Sequence, residues 1–174
     1  KENGQGYYRG CGPGDSRIMG STERSILERI KANCAAVDGS GAYNYDFSAS
    51  DAVVLGSEPA GVAPRAPGVY IYPIAVQSSR DAGRTPLNRY SREFVVQLDV
   101  WVPRTAGTAE NAMLAAVNAQ SDIMRALESD PTCGGVAHDL EIDASAYDGE
   151  AIQVPGYGVA ALKVTIEYTE KRGQ

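Results

Sequence analysis

The sequence predicts an α+β fold: a single antiparallel or mixed sheet of about four to five strands, with two main helices packed on one face. Three observations predict it. Apolar residues recur at helical spacing in two separate stretches, opening near Ser21 and near Thr108. Long stretches around Phe94–Val102 and Ala160–Tyr168 alternate apolar and polar residues with the period of a strand. The order is helix, hairpin, helix and a further antiparallel set, with no internal repeat and no second domain.

Residues 1–20, "KENGQGYYRGCGPGDSRIMG", are glycine-rich and aperiodic, so they read as a flexible arm. Their glycine spacing fits neither a dinucleotide fingerprint nor a phosphate loop. Residues 21–170 read as one domain and 171–174 as a short tail. Ser21 is a good N-cap with Glu23 in the first turn, and Ile26, Leu27, Ile30, Cys34 and Val37 form an apolar stripe that Asp38-Gly39 closes. Residues 38–68 are irregular, apart from a short strand expected at "AVVLG". "VYIYPIAV" is a strand in which Pro73, having no N–H, calls for an edge or a bulge. Residues 77–92, "QSSRDAGRTPLNRYSR", read as a long polar loop of a hairpin. In "EFVVQLDVWV", Phe94, Val96, Leu98, Val100 and Val102 share one face, and Glu93, Val95, Gln97, Asp99 and Trp101 the other.

Thr108 caps the second helix. Its expected buried stripe is Ala109, Ala112, Met113, Ala116, Val117, Ile123, Met124 and Leu127, rich enough in small residues to lie close to a sheet. Pro131 ends it. "VAHDLEID" alternates, which puts Val136, His138, Leu140 and Ile142 on the inward face. "DASAYDGEA" reads as a turn, "AIQV" as a short strand and "PGYG" as a turn. In the closing strand, Ala160, Leu162, Val164, Ile166 and Tyr168 point one way.

Composition narrows the function. The net charge of -6 argues against free-standing, non-specific nucleic-acid binding. Three cysteines at long spacings suit neither a disulfide framework nor a zinc site. No apolar run approaches the roughly 18 residues of a membrane helix. Residues 1–20 lack an apolar central region, so a soluble protein of a reducing compartment is expected.

The stretch "DPTCGGVAHDLEID" holds Cys133 and the chain's single histidine, His138. A nucleophile–base pair there lacks an orienting group and an oxyanion hole. A metal site lacks a second histidine, and Asp139, Glu141 and Asp143 fall on the strand face opposite His138. A helix stop, a glycine turn and a strand start account for every residue, with Cys133 as a small hydrophobe and His138 facing inward. No catalytic residue, cofactor or metal is therefore expected, and an enzyme using Cys133 and His138 is the less favoured alternative.

Charge is segregated. Arg80, Arg84, Arg89 and Arg92 against Asp81 give the polar loop 4 − 1 = +3. From Glu128 to Glu150 the charged residues are Glu128, Asp130, Asp139, Glu141, Asp143, Asp148 and Glu150, a total of -7. Each patch reads first as a solvated face. The sharper reading is that the two meet across a subunit boundary, because patches of opposite sign on one subunit suit head-to-tail contact, which can close into a ring and weakens with salt. The candidate interface residues are Arg80, Arg84, Arg89, Arg92, Asp139, Glu141, Asp143, Asp148 and Glu150.

The opening helix "STERSILERIKANC", the strands "APGVYIYPIAV" and "REFVVQLDVWVP", and the helix-turn-strand "AMLAAVNAQSDIMRALESDPTCGGVAHDLEI" follow in that order. This order and texture, and most of all "ALESDPTCGG" before an alternating strand, resemble the tail terminator (tail completion, or minor tail) proteins of long-tailed bacteriophages. The resemblance covers roughly residues 21–170. It implies an α+β subunit of a ring, commonly a hexamer, without an active site. Such a ring caps the tail tube, stops its polymerisation and offers a docking surface to the head connector (stopper) protein. It also implies a place in the virion tail or neck after assembly in the bacterial cytoplasm, with DNA passing through the lumen and no specific binding. A head–tail neck or connector protein of related fold is the nearest alternative.

Overall fold

The computed structural model describes residues 21–56, 66–78, 89–103, 109–148 and 156–171. The elements are α1 (Ser21–Ala35), β1 (Val53–Leu55), β2 (Gly68–Ser78), β3 (Arg89–Pro103), α2 (Ala109–Glu128), β4 (Asp139–Asp148) and β5 (Tyr157–Lys171). They form an α+β fold with one five-stranded mixed sheet in the order β1-β2-β3-β5-β4, and the helices pack against it. β1 runs parallel to β2, and the other neighbours are antiparallel. The spine is the β3–β5 ladder, continuous from Arg89↔Lys171 to Pro103↔Tyr157.

Strand alternation puts the core on one face. Phe94, Val96, Leu98, Val100 and Val102 of β3 stand beside Ala160, Leu162, Val164, Ile166 and Tyr168 of β5, all buried. Ile26, Leu27, Ile30 and Cys34 of α1 and Ala115, Ala119, Ile123 and Leu127 of α2 close over them. Burying each large aliphatic side chain contributes roughly 1.5–3 kcal/mol. Glu23, in the first turn of α1, is itself buried and accepts a hydrogen bond from the Tyr168 hydroxyl, which ties the start of α1 to the end of β5.

α2 lies against β5 at backbone distance. A Cβ on Gly158 would sit 2.3 Å from the carbonyl oxygen of Ala112 and 3.1 Å from the amide nitrogen of Ala116. The small-residue surface of α2 permits this approach. Pro73 is placed by the same logic of alternation. Val69 donates to Ala52 and Ile71 accepts from Gly56, so alternate residues of β2 turn their backbone groups toward β1. Pro73 is next in that series, just past the last β1 pair, and its missing N–H falls on the open edge. The register then shifts between Pro73 and Ala75, so the edge and bulge expectations both hold.

Four local expectations change. α2 is rolled about its axis: its buried face is Ala112, Ala115, Ala116, Ala119, Asp122, Ile123, Ala126 and Leu127, while Met113 and Val117 are exposed. The larger side chains drew the expected stripe toward themselves, but close approach to β5 selects the alanine face. Residues 143–148 are strand rather than turn, because Asp143 to Asp148 pair with Lys163 to Gly158 and this ladder outweighs their weak strand propensity. β4 starts only at Asp139, so Val136 and His138 are exposed and Ala137 fills the inward position. The polar loop is shorter than expected, since β2 reaches Ser78 and β3 starts at Arg89. The "AIQV" strand and Thr108 lie outside the described residues.

Candidate interaction surfaces

Both helices cover the same side of the sheet, and the opposite side carries a gradient from acid to aromatic. In the cross-strand rows that span β3, β5 and β4, Glu93, Glu167 and Asp139 stand together, then Val95, Thr165 and Glu141, then Gln97, Lys163 and Asp143. Like charges directly opposite one another, as at Glu93/Glu167 and Asp139/Glu167, disfavour the pairing and keep this corner solvated. A shallow hollow of about 60 Å³ opens there, lined by Asp139, Leu140, Glu141, Thr165 and Glu167. Further along, Asp99 accepts hydrogen bonds from Tyr72 Oη (2.8 Å) and Gln97 Nε2 (3.0 Å). The far end is apolar: Trp101, Tyr70 and Val159 are buried together, and Tyr157 meets Trp101 edge-on with ring centroids 5.8 Å apart. No group of three or more His, Cys, Asp or Glu among the described residues has the arrangement of a metal site.

The predicted interface residues divide. Asp139, Glu141 and Asp143 share the bare face of β4 and are exposed. Arg92 is a β3 residue on the helix-covered side, and its Nε lies 2.7 Å from Glu170 Oε2 of the same chain. Arg89 and Asp148 belong to the ladders, opposite Lys171 and Gly158. Arg80, Arg84 and Glu150 lie outside the described residues.

The turn after α2 brings Cys133 and His138 to different environments. Asp130 organises it: the carboxylate accepts from Arg29 Nε at 2.5 Å, from Asn33 Nδ2 at 3.3 Å and from the Gly134 amide at 2.8 Å. The Arg29 bond, followed by the Gly134 amide, holds its carboxyl below the usual range. Cys133, Gly134 and Gly135 take left-handed φ values of 49°, 70° and 85°, so two of the three positions carry glycine. Cys133 is buried, and that burial pushes its thiol up to about 11. Burial likewise pushes Cys34 up to about 12. A thiolate nucleophile at neutral pH needs the opposite shift. His138 is exposed at the other end of the turn, where its Nε2 meets the Thr169 hydroxyl. Its expected inward placement is therefore corrected.

Sequence reasoning missed Asp122. It is fully buried in α2 and accepts hydrogen bonds from the amides of Asn44 (2.7 Å) and Tyr45 (2.9 Å) and from Asn44 Nδ2 (3.0 Å). One turn on, Arg125 donates to the Ala42 carbonyl and lies 5.9 Å from the Tyr43 ring centroid. Together they clamp segment 38–47 against α2. The available signal was position: Asp122 continues the row of Ala115, Ala119 and Ala126, which only the alanines' burial identifies as inward.

Among the described residues, the exposed large hydrophobic side chains fall mainly into two groups. Val54 and Leu55 of β1 join Ile74 and Val76 of β2 along one edge of the sheet. Met113, Leu114 and Val117 form a patch on the first half of α2. No helix among the described residues is long and apolar enough to cross a membrane. Neither a protein-family model nor a curated protein sequence matches this chain.

Proposed function

We propose that this chain is the subunit of a ring, commonly a hexamer, that caps a bacteriophage tail tube, stops its polymerisation and offers a docking surface to the head. The observation that carries the reading is a one-sided sheet assembled in the order of the resembling segments. "STERSILERIKANC" belongs to α1, "VYIYPIAV" and "REFVVQLDVWVP" to β2 and β3, and the stretch through "ALESDPTCGG" to α2 and its turn. The helix-free face supports a passage for DNA. Among the residues whose exposure is described, its exposed charge is Asp139, Glu141, Asp143 and Glu167 against Lys163, with Glu93 half-buried beside them, and a wall of that sign repels phosphates instead of retaining them. The partners are then further copies of the chain, the tube protein and the head connector protein, in the tail or neck of a virion.

The test is assembly. Purified protein is expected to give rings with a central hole in negative-stain images. Added to polymerising tail-tube protein, it shortens the tubes and decorates one end. Rings that bind the head portal but leave tube length unchanged assign the chain to the neck instead. Monomers at every concentration and no effect on tubes refute the ring reading. The Cys133→Ala/His138→Ala double variant keeps ring assembly under this reading, and a folded double variant that has lost function restores the enzyme alternative.

A further inference from the structure

The two apolar groups lie on opposite flanks of the subunit. Val54 and Leu55 of β1 lie four strand intervals, about 19 Å, from β4, and Ile74 and Val76 of β2 lie three intervals, about 14 Å, from it. α2 packs mainly on β4 and β5, at the other side of the sheet. Asp122 faces segment 38–47, and at about 100° per residue Met113 lies roughly 180° around the helix from Asp122, with Val117 close beside it. Met113 and Val117 are therefore turned away from that segment, toward the β4 side, whereas Leu114, about 80° from Asp122, faces outward from the sheet. Within one subunit the two patches cannot cover each other.

We infer that the two flanks meet in trans: the β1–β2 edge of one copy packs against the β4-side flank of α2 in the next. Each edge resists its own kind. An antiparallel β4–β4 contact centred on Glu141 sets Asp139, Glu141 and Asp143 against the same residues of the copy, and facing carboxylates repel. A β2–β2 contact meets the missing N–H of Pro73 and the register shift beside it, which interrupt a ladder. The mixed contact avoids both and covers both apolar patches with a single interface. It joins different surfaces of identical subunits, the head-to-tail geometry that closes into a ring or extends as a filament. This deepens the ring proposal, rests on its premise of self-association, and moves the expected driving force from charge to apolar contact. Arg92 and Glu170 are already paired within one chain.

The experiment is thiol cross-linking in a Cys11→Ser background, in which the remaining Cys34 and Cys133 are buried. Ile74→Cys and Val117→Cys variants are prepared separately and treated with a short bis-maleimide. An equimolar mixture is expected to give cross-linked dimers, each variant alone little, and a chain carrying both a ladder beyond the dimer. Ile74→Glu is expected to weaken self-association by about tenfold or more, the factor equivalent to ~1.4 kcal/mol, and added Val117→Lys to restore it. Far-UV circular dichroism checks that these exposed positions leave the fold intact. Equal yields from single variants and mixture, or rings that survive Ile74→Glu unchanged, overturn the inference and leave the ring reading standing. A monomer at every concentration overturns both. Cross-links confined to the mixture, without capping of tubes, sustain the interface and remove the tail role.

Discussion

Gly158→Ala tests the close backbone approach of α2 to β5. The added Cβ lands 2.3 Å from Ala112 O and 3.1 Å from Ala116 N, about 1 Å inside an ordinary carbon–oxygen contact. Gly158 does not have a left-handed φ, so dihedral strain is not the cause. The obstruction is helix backbone, which no rotamer change can move, so α2 must lift from β5 and loosen Ala112, Ala116 and Ala119 against the sheet. Overpacking of this kind costs about 1–3 kcal/mol and more against a rigid wall. An expected loss of about 3 kcal/mol, at a urea slope of roughly 2 kcal/mol/M, lowers the midpoint by about 1.5 M. Urea unfolding followed by the fluorescence of Trp101, the single tryptophan, measures it. Adding Ala116→Gly should not rescue the variant, because the blocking atom is the Ala112 carbonyl. A loss below about 1 kcal/mol, or rescue by Ala116→Gly, refutes the close-approach reasoning.

Asp122→Ala leaves the Asn44 and Tyr45 amides without their acceptor and should cost about 2–4 kcal/mol, against about 1 kcal/mol for Asn44→Ala, by the same unfolding assay. Asp130 is held below its ordinary carboxylate value, so its contribution is complete above about pH 4 and is lost as pH falls further; Arg29→Ala should flatten stability against pH in that acid window. Cys34 is shifted the other way. Its contribution is complete below its unperturbed value of 9.0 and is lost as pH rises from there through about 12, so Cys34→Ala should flatten the alkaline limb of the stability curve. In the native protein a thiol reagent at pH 8 should leave Cys34 and Cys133 unmodified, and both should react once urea unfolds the chain.

The sequence by itself determined the fold class, α1, the faces of β3 and β5, and the irregularity at Pro73. In each case a periodic run of large apolar residues, or a residue with a single allowed role, leaves one physical solution. Tertiary structure decided what depends on contacts distant in sequence. α2 rolls so that its alanine face meets Gly158, leaving Met113 and Val117 exposed. β4 extends through Asp143–Asp148 because β5 offers it a ladder, and Asp122 is buried because segment 38–47 brings amides to it. The outcome for "DPTCGGVAHDLEID" follows the same division. Its helix stop and glycine turn were legible, since backbone geometry there is local. So was the burial of Cys133 as a small hydrophobe. That His138 faces out beside Thr169 was not, because alternation has no hold on a chain until its strand begins at Asp139.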